Sequence, residues 1–179
     1  KMALFNISNL ITINRHIEAE EDLHPEASGD FTLLLQDLIL AFRLISNEVR
    51  HAGLKGVLGA TSNRNIHGET VKKLDKYANQ IIINAMEQGG HTAALISEEA
   101  NNIIFTKNKK KSRYFIAFDP LDGSSNIDVY GTIGTIFSIN KIENLIEDEI
   151  TEKDVLIPGK KQVAAGYVLY GSSTVLVYT

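Results

Sequence analysis

An apolar run that ends in a cluster of acids constrains the fold of this chain more than any other feature. Residues 114–118 read Tyr-Phe-Ile-Ala-Phe, which is typical of a buried strand. The following Asp119-Pro120 is predicted to end that strand, because proline has no N–H for the sheet ladder and biases the residue before it toward extended geometry. An Asp-Gly-Ser sequence comes next, at residues 122–124. We therefore expect a buried strand with a polar, acidic turn at its carboxyl end.

The acidic turn predicts a site for hard divalent cations and phosphate. The carboxylates of Asp119 and Asp122 offer the oxygen ligands that Mg²⁺ prefers, and the carbonyl of Leu121 is a third predicted ligand. The amides that follow are predicted to cradle a phosphate, as backbone N–H groups do in nests and at helix starts. They belong to Gly123, Ser124 and Ser125. The alternative is an ordinary polar loop, because Asp-Pro and Asp-Gly are common turn formers.

Two other acidic positions are predicted to join this cluster. Glu98-Glu99 directly follows a second apolar run at residues 93–97, and Asp75 lies about one turn inside a predicted helix. Where neighbouring strands both end in acids, those ends can converge and bind two or more divalent cations about 4 Å apart, as in two-metal phosphoryl chemistry. The alternatives are a solvated pair at a strand end and, for Asp75, a surface ion pair with Lys72 or Lys73.

Composition limits the classes of protein to which this chain can belong. With 179 residues, 44% of them hydrophobic, the chain can bury one sizeable core. A net charge of −4 and the lack of a basic stripe give no reason to expect nucleic acid as a partner. The absence of cysteine excludes a disulfide framework, thiolate catalysis and a cysteine zinc site, and fits a reducing cytoplasm. No apolar run approaches the ~18 residues of a membrane span, so no membrane partner is expected.

Three helices are predicted in the first half of the chain. They cover Ile7–Glu21, a long segment capped by Ser28 or Asp30 that ends near Ala52, and Thr70–Gln88. In the long helix, apolar residues from Phe31 to Val49 recur at three- and four-residue spacing, so one stripe faces a core. Gly53–Gly68 holds four glycines and no periodicity, and it is predicted to be a mobile loop.

The second half of the chain is predicted to be mostly strand. The strand-like runs are Ala93–Ile96, Ile103–Phe105, Tyr114–Phe118, Thr132–Ile139 and Thr174–Thr179. Asn144–Pro158 is interpreted as an acidic surface excursion and Val163–Tyr170 as a short helix. Helices followed by strands indicate layers of mixed α and β structure. Because the chain begins at Lys1 rather than Met and stops in an apolar run with no turn after it, we expect it to be a fragment.

Five motifs, in order along the chain, resemble those of the fructose-1,6-bisphosphatase family. They are Val71–Asp75, Ser97–Glu99, Phe118–Asp128, Gly134–Phe137 and Val163–Ser172. The resemblance runs from about Thr12 to the last residue. The wider relatives, the inositol monophosphatases, share the short Asp-Pro-Leu-Asp-Gly core. The sedoheptulose bisphosphatases are the nearest alternative, and they usually depart from residues 126–128.

The resemblance implies a fold, a reaction and a setting. The fold is α/β, the layered sugar-phosphatase fold of alternating helices and sheets, and residues 1–179 correspond to its N-terminal domain without the sugar-binding half. The reaction is hydrolysis of the 1-phosphate of fructose 1,6-bisphosphate to fructose 6-phosphate in gluconeogenesis. The expected protein is cytoplasmic and homotetrameric. A non-catalytic regulator that binds metal or sugar phosphate is the alternative from another class.

The resemblance also assigns roles to individual residues of the acidic clusters. The implied ligands of Mg²⁺, for which Mn²⁺ and Zn²⁺ are alternatives, are Glu98, Glu99, Asp119, the Leu121 carbonyl and Asp122. The implied phosphate-binding residues are Asp122, Gly123, Ser124 and Ser125. The residues implied to orient and deprotonate the attacking water are Asp75, Glu98 and Glu99.

An inhibitory AMP site is implied at the start of the second helix. Its residues are Ser28, Gly29, Asp30, Thr32, Arg113, Tyr114 and Lys141. Four of them depart from the residues usual in the family: Ser28 stands for Thr, Asp30 for Glu, Arg113 for Lys and Lys141 for Arg. Charge and hydrogen-bond type survive each change, although arginine and lysine are not equivalent at bidentate sites. The alternative is an ordinary capped helix beside a basic strand.

Overall fold

Helices come first and a mixed sheet follows in the computed structural model, which describes residues 11–22, 29–58, 64–109, 111–124, 131–142 and 150–179, with side chains described outside 52–58 and 64–72. The helices are α1 (Ile13–Glu21), α2 (Asp30–Leu58) and α3 (Arg64–Gly89). The strands are β1 (Thr92–Ser97), β2 (Ile104–Phe105), β3 (Tyr114–Asp122), β4 (Ile133–Lys141), β5 (Gln162–Tyr170) and β6 (Thr174–Tyr178). Short 3₁₀ helices cover Glu152–Val155 and Gly159–Lys161. The predicted α/β class is confirmed.

The first two helices begin as local chemistry dictates. The hydroxyl of Thr12 accepts the N–H of Arg15 at 3.3 Å and caps α1. The first predicted helix is therefore confirmed from Ile13 to Glu21, but it was wrong at Ile11 and Thr12, which precede the helix. The α2 helix begins at Asp30, which lies inside its first turn rather than before it. Gly29 precedes it with φ of 77°, a conformation that favours glycine. The other predicted cap, Ser28, lies outside the described residues.

The predicted loop at Gly53–Gly68 is largely helical, so that prediction was wrong. The α2 helix continues to Leu58 rather than ending near Ala52, and α3 begins at Arg64 rather than at Thr70. Residues 59–63 lie outside the described residues. The physical reason is that one glycine inside a helix costs only about 1 kcal/mol relative to alanine. A long helix anchored by its earlier, buried turns therefore continues through two isolated glycines.

The six strands form one sheet in the order β2-β1-β3-β4-β5-β6. The β1–β3 pair is parallel, and the other pairs are antiparallel. The five predicted strands are confirmed, but the predicted helix at Val163–Tyr170 was wrong, because this segment is β5. Its buried side chains, at Ala164, Val168 and Tyr170, are spaced by multiples of two, and β5 pairs with strands on both sides. Sheet pairing overrides the helix preference of its two alanines.

Strand β3 does not end at Asp119-Pro120 as predicted. It continues to Asp122, and its pairing with β4 shifts by one residue between Asp119, which pairs with Ile136, and Asp122, which pairs with Gly134. Such a shift is a β-bulge, and a bulge is one of the few places in a sheet that tolerates proline. Proline therefore marks an irregularity of the strand here rather than its end.

The main core lies between the sheet and the helices α2 and α3. Its fully buried members include Leu34, Leu38, Ile45, Ile82, Ile116, Ile139 and Val168. On the opposite face, Ile150 and Val155 pack against Ala94 and Phe115. The prediction of a surface excursion at Asn144–Pro158 is therefore wrong for these described residues, because apolar side chains among the acids enter a second core. None of the helices in the described part of the chain is long and apolar enough to cross a membrane.

A tight contact between β4 and β5 yields a prediction about stability. A Cβ atom added at Gly134 would clash with the backbone carbonyl oxygen of Val168, whereas one added at Gly159 would meet nothing within 4 Å. We expect Gly134→Ala to lower the free energy of unfolding by about 1–3 kcal/mol, as overpacking does, and Gly159→Ala to leave it within about 0.5 kcal/mol. Urea unfolding of the two variants measures this. Equal, small effects would show that the sheet relaxes freely at Gly134.

Candidate active site

The parallel pairing of β1 and β3 brings two acidic segments to one edge of the sheet. Ser97, the last residue of β1, is the partner of Phe118 in β3. The N–H of Glu98 donates to the Phe118 carbonyl at 3.0 Å, so Glu98, directly after β1, and Asp119, near the end of β3, lie side by side. Carboxyl ends of neighbouring parallel strands are where open α/β sheets bind ligands. The expected convergence of these strand ends is confirmed.

A third acid reaches the same edge from helix α3. The α3 helix packs on β1 and β3, and Asp75 Oδ2 accepts a hydrogen bond of 3.2 Å from the hydroxyl of Ser124. Ser124 follows Gly123, whose φ of 73° lets the chain turn after β3. The structure thus brings a predicted proton acceptor and a predicted phosphate-binding residue into contact. Ser125 lies outside the described residues.

The acids repel one another. Partial burial is the main reason that the pKa of Asp75 is raised, and the charges of Asp119 and Glu98 add to it against the opposing hydrogen bond from Ser124. Burial likewise raises the pKa of Asp119, helped by the charges of Asp122 and Glu98 and opposed by the Leu121 N–H, which donates to Oδ1 at 3.0 Å. Four carboxylates therefore share one edge, each ionised at a cost to its neighbours.

The donor set fits a hard divalent cation in its chemistry. Clustered carboxylate oxygens suit Mg²⁺, whose charge would offset the repulsion among them. Within the described ranges, however, no three Asp, Glu or His side chains converge closely enough to hold a metal ion. Glu98, Glu99 and Asp122 are exposed, so their side chains have room to turn. The ligand assignments of Glu98, Glu99, Asp119, Leu121 and Asp122 stay predictions.

Asn79, which the sequence did not single out, and Ser97, to which it gave no role of its own, support the segment after β1. The hydroxyl of Ser97 donates to Asn79 Oδ1 at 2.7 Å, and Ser97 Oγ accepts the N–H of Glu99 at 3.2 Å. Asn79 lies four residues after Asp75, on the same face of α3. That spacing, and a serine directly before two acids, are the only signals in the sequence. The contact fixes the backbone from which Glu99 projects.

Several residues of the predicted effector site meet at the other end of β3. Tyr114, the first residue of β3, pairs with Lys141, whose Nζ lies 5.8 Å from the centre of the tyrosine ring. Burial chiefly raises the pKa of Tyr114, and the charge of Asp30 adds to this, so the start of α2 lies nearby. Asp30 also lies 3.4 Å from the ring of His91.

The other predicted effector residues differ in how accessible they are. Thr32 is buried, and its hydroxyl donates to Glu21 at 2.6 Å. Arg113 is exposed directly before β3, and its carbonyl accepts the N–H of Ile142. Gly29 adjoins Asp30 at the start of α2, and Ser28 lies outside the described residues. The structure therefore brings Asp30, Tyr114 and Lys141 together, whereas the hydroxyl of Thr32 is hydrogen-bonded to Glu21.

Comparison with known proteins points to one family. The family model described as the N-terminal domain of fructose-1-6-bisphosphatase matches residues 11–179. Among curated proteins, the class 1 fructose-1,6-bisphosphatase of Chlorobium phaeovibrioides is 51% identical over 173 residues, covering 97% of this chain and 52% of that protein. The class 1 fructose-1,6-bisphosphatase of Nitratidesulfovibrio vulgaris is 47% identical over 170 residues, covering 94% of this chain and 50% of that protein. The chain spans about half the length of the curated relatives it matches.

Solved structures agree with the sequence comparisons. The fructose-1,6-bisphosphatase of Leishmania major in its apo form matches with a TM-score of 0.77 at 29% identity, covering 94% of this chain and 50% of that one. The holo form of the same protein matches with a TM-score of 0.72 at 32% identity, covering 94% of this chain and 48% of that one. The predicted fold of this family is thereby confirmed.

The burial of Asp119, together with repulsion from Asp122 and Glu98, predicts how the metal-free protein responds to pH. Because folding raises the pKa of Asp119, the ionised carboxyl destabilises the fold above its folded pKa, and this cost vanishes as the pH falls below the unfolded value. We expect Asp119→Asn, in EDTA, to raise the Tm near neutral pH and to leave it unchanged near about pH 3. Thermal unfolding across pH measures the difference.

A matched control is expected to shift the Tm in the opposite direction. Hydrogen bonds from Thr151 lower the pKa of Asp154, so this acid stabilises the fold above its unfolded pKa. Asp154→Asn is therefore expected to lower the Tm near neutral pH. If both variants shifted the Tm in the same direction, the proposed destabilisation by ionised Asp119 would be refuted.

Proposed function

The chain belongs to the fructose-1,6-bisphosphatase family, and we propose that it supplies the metal-binding and phosphate-binding half of an enzyme that hydrolyses the 1-phosphate of fructose 1,6-bisphosphate. The products are fructose 6-phosphate and inorganic phosphate. The observation that carries this proposal is the contact of Asp75 with Ser124 at the edge where Glu98 follows β1 and Asp119 lies near the end of the parallel strand β3. The named activity of the curated relatives supports it.

In the proposed mechanism, each residue has a role that its position allows. Gly123, Ser124 and Ser125 bind the 1-phosphate through amides and hydroxyls. Glu98, Glu99, Asp119, Asp122 and the Leu121 carbonyl would hold Mg²⁺, or alternatively Mn²⁺ or Zn²⁺, which would neutralise charge at the phosphoryl oxygens.

The remaining step is the attack of water on the phosphate. A water oxygen attacks phosphorus, the bond from phosphorus to the sugar oxygen breaks, and the leaving oxygen takes up a proton. Asp75 and Glu99, with Glu98, orient the attacking water and accept its proton. The raised pKa of Asp75 supports this role, because a stronger base accepts a proton more readily near neutral pH.

The setting of the enzyme is also part of the proposal. A cytoplasmic location, a role in gluconeogenesis and a homotetramer are expectations carried over from the family resemblance. We further propose AMP as an inhibitor. The grouping of Asp30, Tyr114 and Lys141 at the far end of β3 supports this, because a cation beside an aromatic ring suits a nucleotide.

Phosphate release by the full-length protein tests the proposed reaction. The substrates are fructose 1,6-bisphosphate, sedoheptulose bisphosphate and an inositol phosphate, each with Mg²⁺ and with EDTA. We expect fast, EDTA-sensitive release that is greatest with fructose 1,6-bisphosphate. Greater release from another substrate would retain the metal site and change the substrate, and no release from any of them would favour the non-catalytic regulator.

A single substitution tests the roles of the acids. We expect Glu99→Gln to lower kcat by about 10²–10⁴-fold, the usual contribution of general acid–base catalysis, with an unchanged circular dichroism spectrum. Glu152→Gln, at an exposed acid far from the site along the chain, is the matched control and should leave kcat unchanged. Near-normal turnover of Glu99→Gln would remove this residue from the catalytic set.

Inhibition of phosphate release by AMP tests the proposed effector site. We expect AMP at roughly millimolar concentration to inhibit phosphate release, and Lys141→Ala to raise the inhibitory concentration about tenfold or more through the loss of a charge-assisted contact. Lys160→Ala, at an exposed lysine in a 3₁₀ helix, is the control and should leave inhibition unchanged. Activity that millimolar AMP does not change would refute the proposed inhibition.

A further inference from the structure

Two buried hydroxyls lie beneath the bulge from which the acidic turn emerges. Thr135, in β4, stands opposite the irregular part of β3, between the partners of Asp119 and Asp122. Thr135 is 0% exposed and Tyr170, in β5, is 4% exposed. Both therefore lie within the core, where a hydroxyl needs a hydrogen-bond partner. Neither residue has a role in the proposed reaction.

These hydroxyls form a directed chain that ends on the bulge. The hydroxyl of Thr135 donates to the carbonyl of Pro120 at 2.8 Å. Because a hydroxyl has one proton to donate, Thr135 accepts its second hydrogen bond, of 2.7 Å, from the hydroxyl of Tyr170. Burial raises the pKa of Tyr170 well above its usual range, so the phenol stays protonated and continues to donate.

These linked hydroxyls supply a hydrogen bond where the sheet ladder is interrupted. Pro120 has no N–H, and the pairing of β3 with β4 is irregular at this point. The side chain of Thr135 instead holds the Pro120 carbonyl, and the Leu121 N–H turns to Asp119 Oδ1 at 3.0 Å. The backbone between Asp119 and Asp122 is thus fixed from both sides. A shift of this segment would change the spacing of the two carboxylates.

We propose that Thr135 and Tyr170 are positioning residues, which hold the bulge of β3 so that Asp119 and Asp122 keep the spacing that a divalent cation requires. This inference rests on the proposed function, in which both acids are metal ligands. Residues that orient metal ligands from behind typically change metal affinity by about 10–100-fold when they are replaced. Thr135 and Tyr170 act through the backbone and touch neither metal nor substrate.

Binding of Mn²⁺ to the full-length protein, followed by electron paramagnetic resonance of the free ion, tests this proposal without relying on turnover. We expect Thr135→Val, which replaces the hydroxyl by a methyl group, to raise the Kd about 10–100-fold. Tyr170→Phe should raise the Kd by roughly threefold or more. The effect is smaller because Thr135 loses the hydrogen bond that it accepts from Tyr170 but keeps the one that it donates to Pro120. Thr135→Ser restores the hydroxyl and should return the Kd to within about threefold of the wild type.

A matched control separates positioning from stability. Thr106 is 3% exposed, and its hydroxyl donates to the Thr92 carbonyl at 2.5 Å, at the start of β1. That is the end of β1 away from Glu98, six residue steps or about 20 Å along the chain from Thr92. Thr106→Val makes the same chemical change and should lower the Tm comparably while leaving the Kd of Mn²⁺ within about threefold of the wild type.

The outcomes distinguish failure of the positioning role from failure of the proposed metal site. Unchanged Mn²⁺ affinity in folded Thr135→Val, while the wild type binds Mn²⁺, would overturn the positioning role and leave the proposed function standing. Equal weakening in Thr106→Val would also overturn it, because the effect would then follow stability alone. If Thr135→Val does not fold, an unchanged Kd in Tyr170→Phe overturns the proposal. A wild-type protein that binds no Mn²⁺ would overturn the proposed metal site and this inference together.

Discussion

The parallel pairing of β1 with β3 is the constraint on which the candidate site depends. Parallel strands end at the same edge of a sheet, so the residues after Ser97 and Phe118 must emerge as neighbours. Antiparallel pairing would have sent Glu98 and Asp119 to opposite edges. Burial raises the pKa of Asp75 and of Asp119, and the charge of Glu98 at the shared edge adds to both rises. A phosphatase that uses divalent metal needs such a concentration of negative charge.

Strand β3 also connects two regions of different chemistry. Its first residue, Tyr114, lies beside Lys141 and near Asp30, and its last residues carry the acidic turn. The eight residue steps between these ends correspond to about 26 Å. Acids collect at the carboxyl end of β3, whereas a lysine and an aromatic ring meet at its start. The proposed catalytic and effector sites therefore share a rigid element without sharing residues.

The sequence predicts those parts of the fold that depend on local patterns. The apolar runs that became β1 and β3 were recognisable, and so were the acids after them, because a strand that ends in Asp or Glu is a short-range signal. The start of α1 is likewise determined by a local feature, the cap at Thr12, and the buried face of α2 by its apolar stripe. Asp75 was identified by resemblance to the family, and its contact with Ser124, 49 residues away, was visible only in the structure.

The predictions that failed depend on partners distant in the sequence. Val163–Tyr170 is a strand because β4 and β6 flank it, which two alanines in a row do not reveal. Pro120 remains within β3 because Thr135 supplies a hydrogen bond from another strand. The helices extend into Gly53–Gly68 because their buried turns outweigh the cost of glycine. The contact of Asn79 with Ser97 was missed for the same reason, since it joins a helix to a strand end.

Anomalous diffraction from crystals of the full-length protein soaked in Mn²⁺ would test the central claim most directly. The account predicts manganese peaks at the edge where β1 and β3 end, within about 2.0–2.6 Å of carboxylate oxygens of Glu98 or Glu99 and of Asp119 or Asp122. Peaks only elsewhere on the protein, or no peak at a Mn²⁺ concentration that supports phosphate release, would contradict it. In that case the parallel strand ends would collect acids for a purpose other than metal binding.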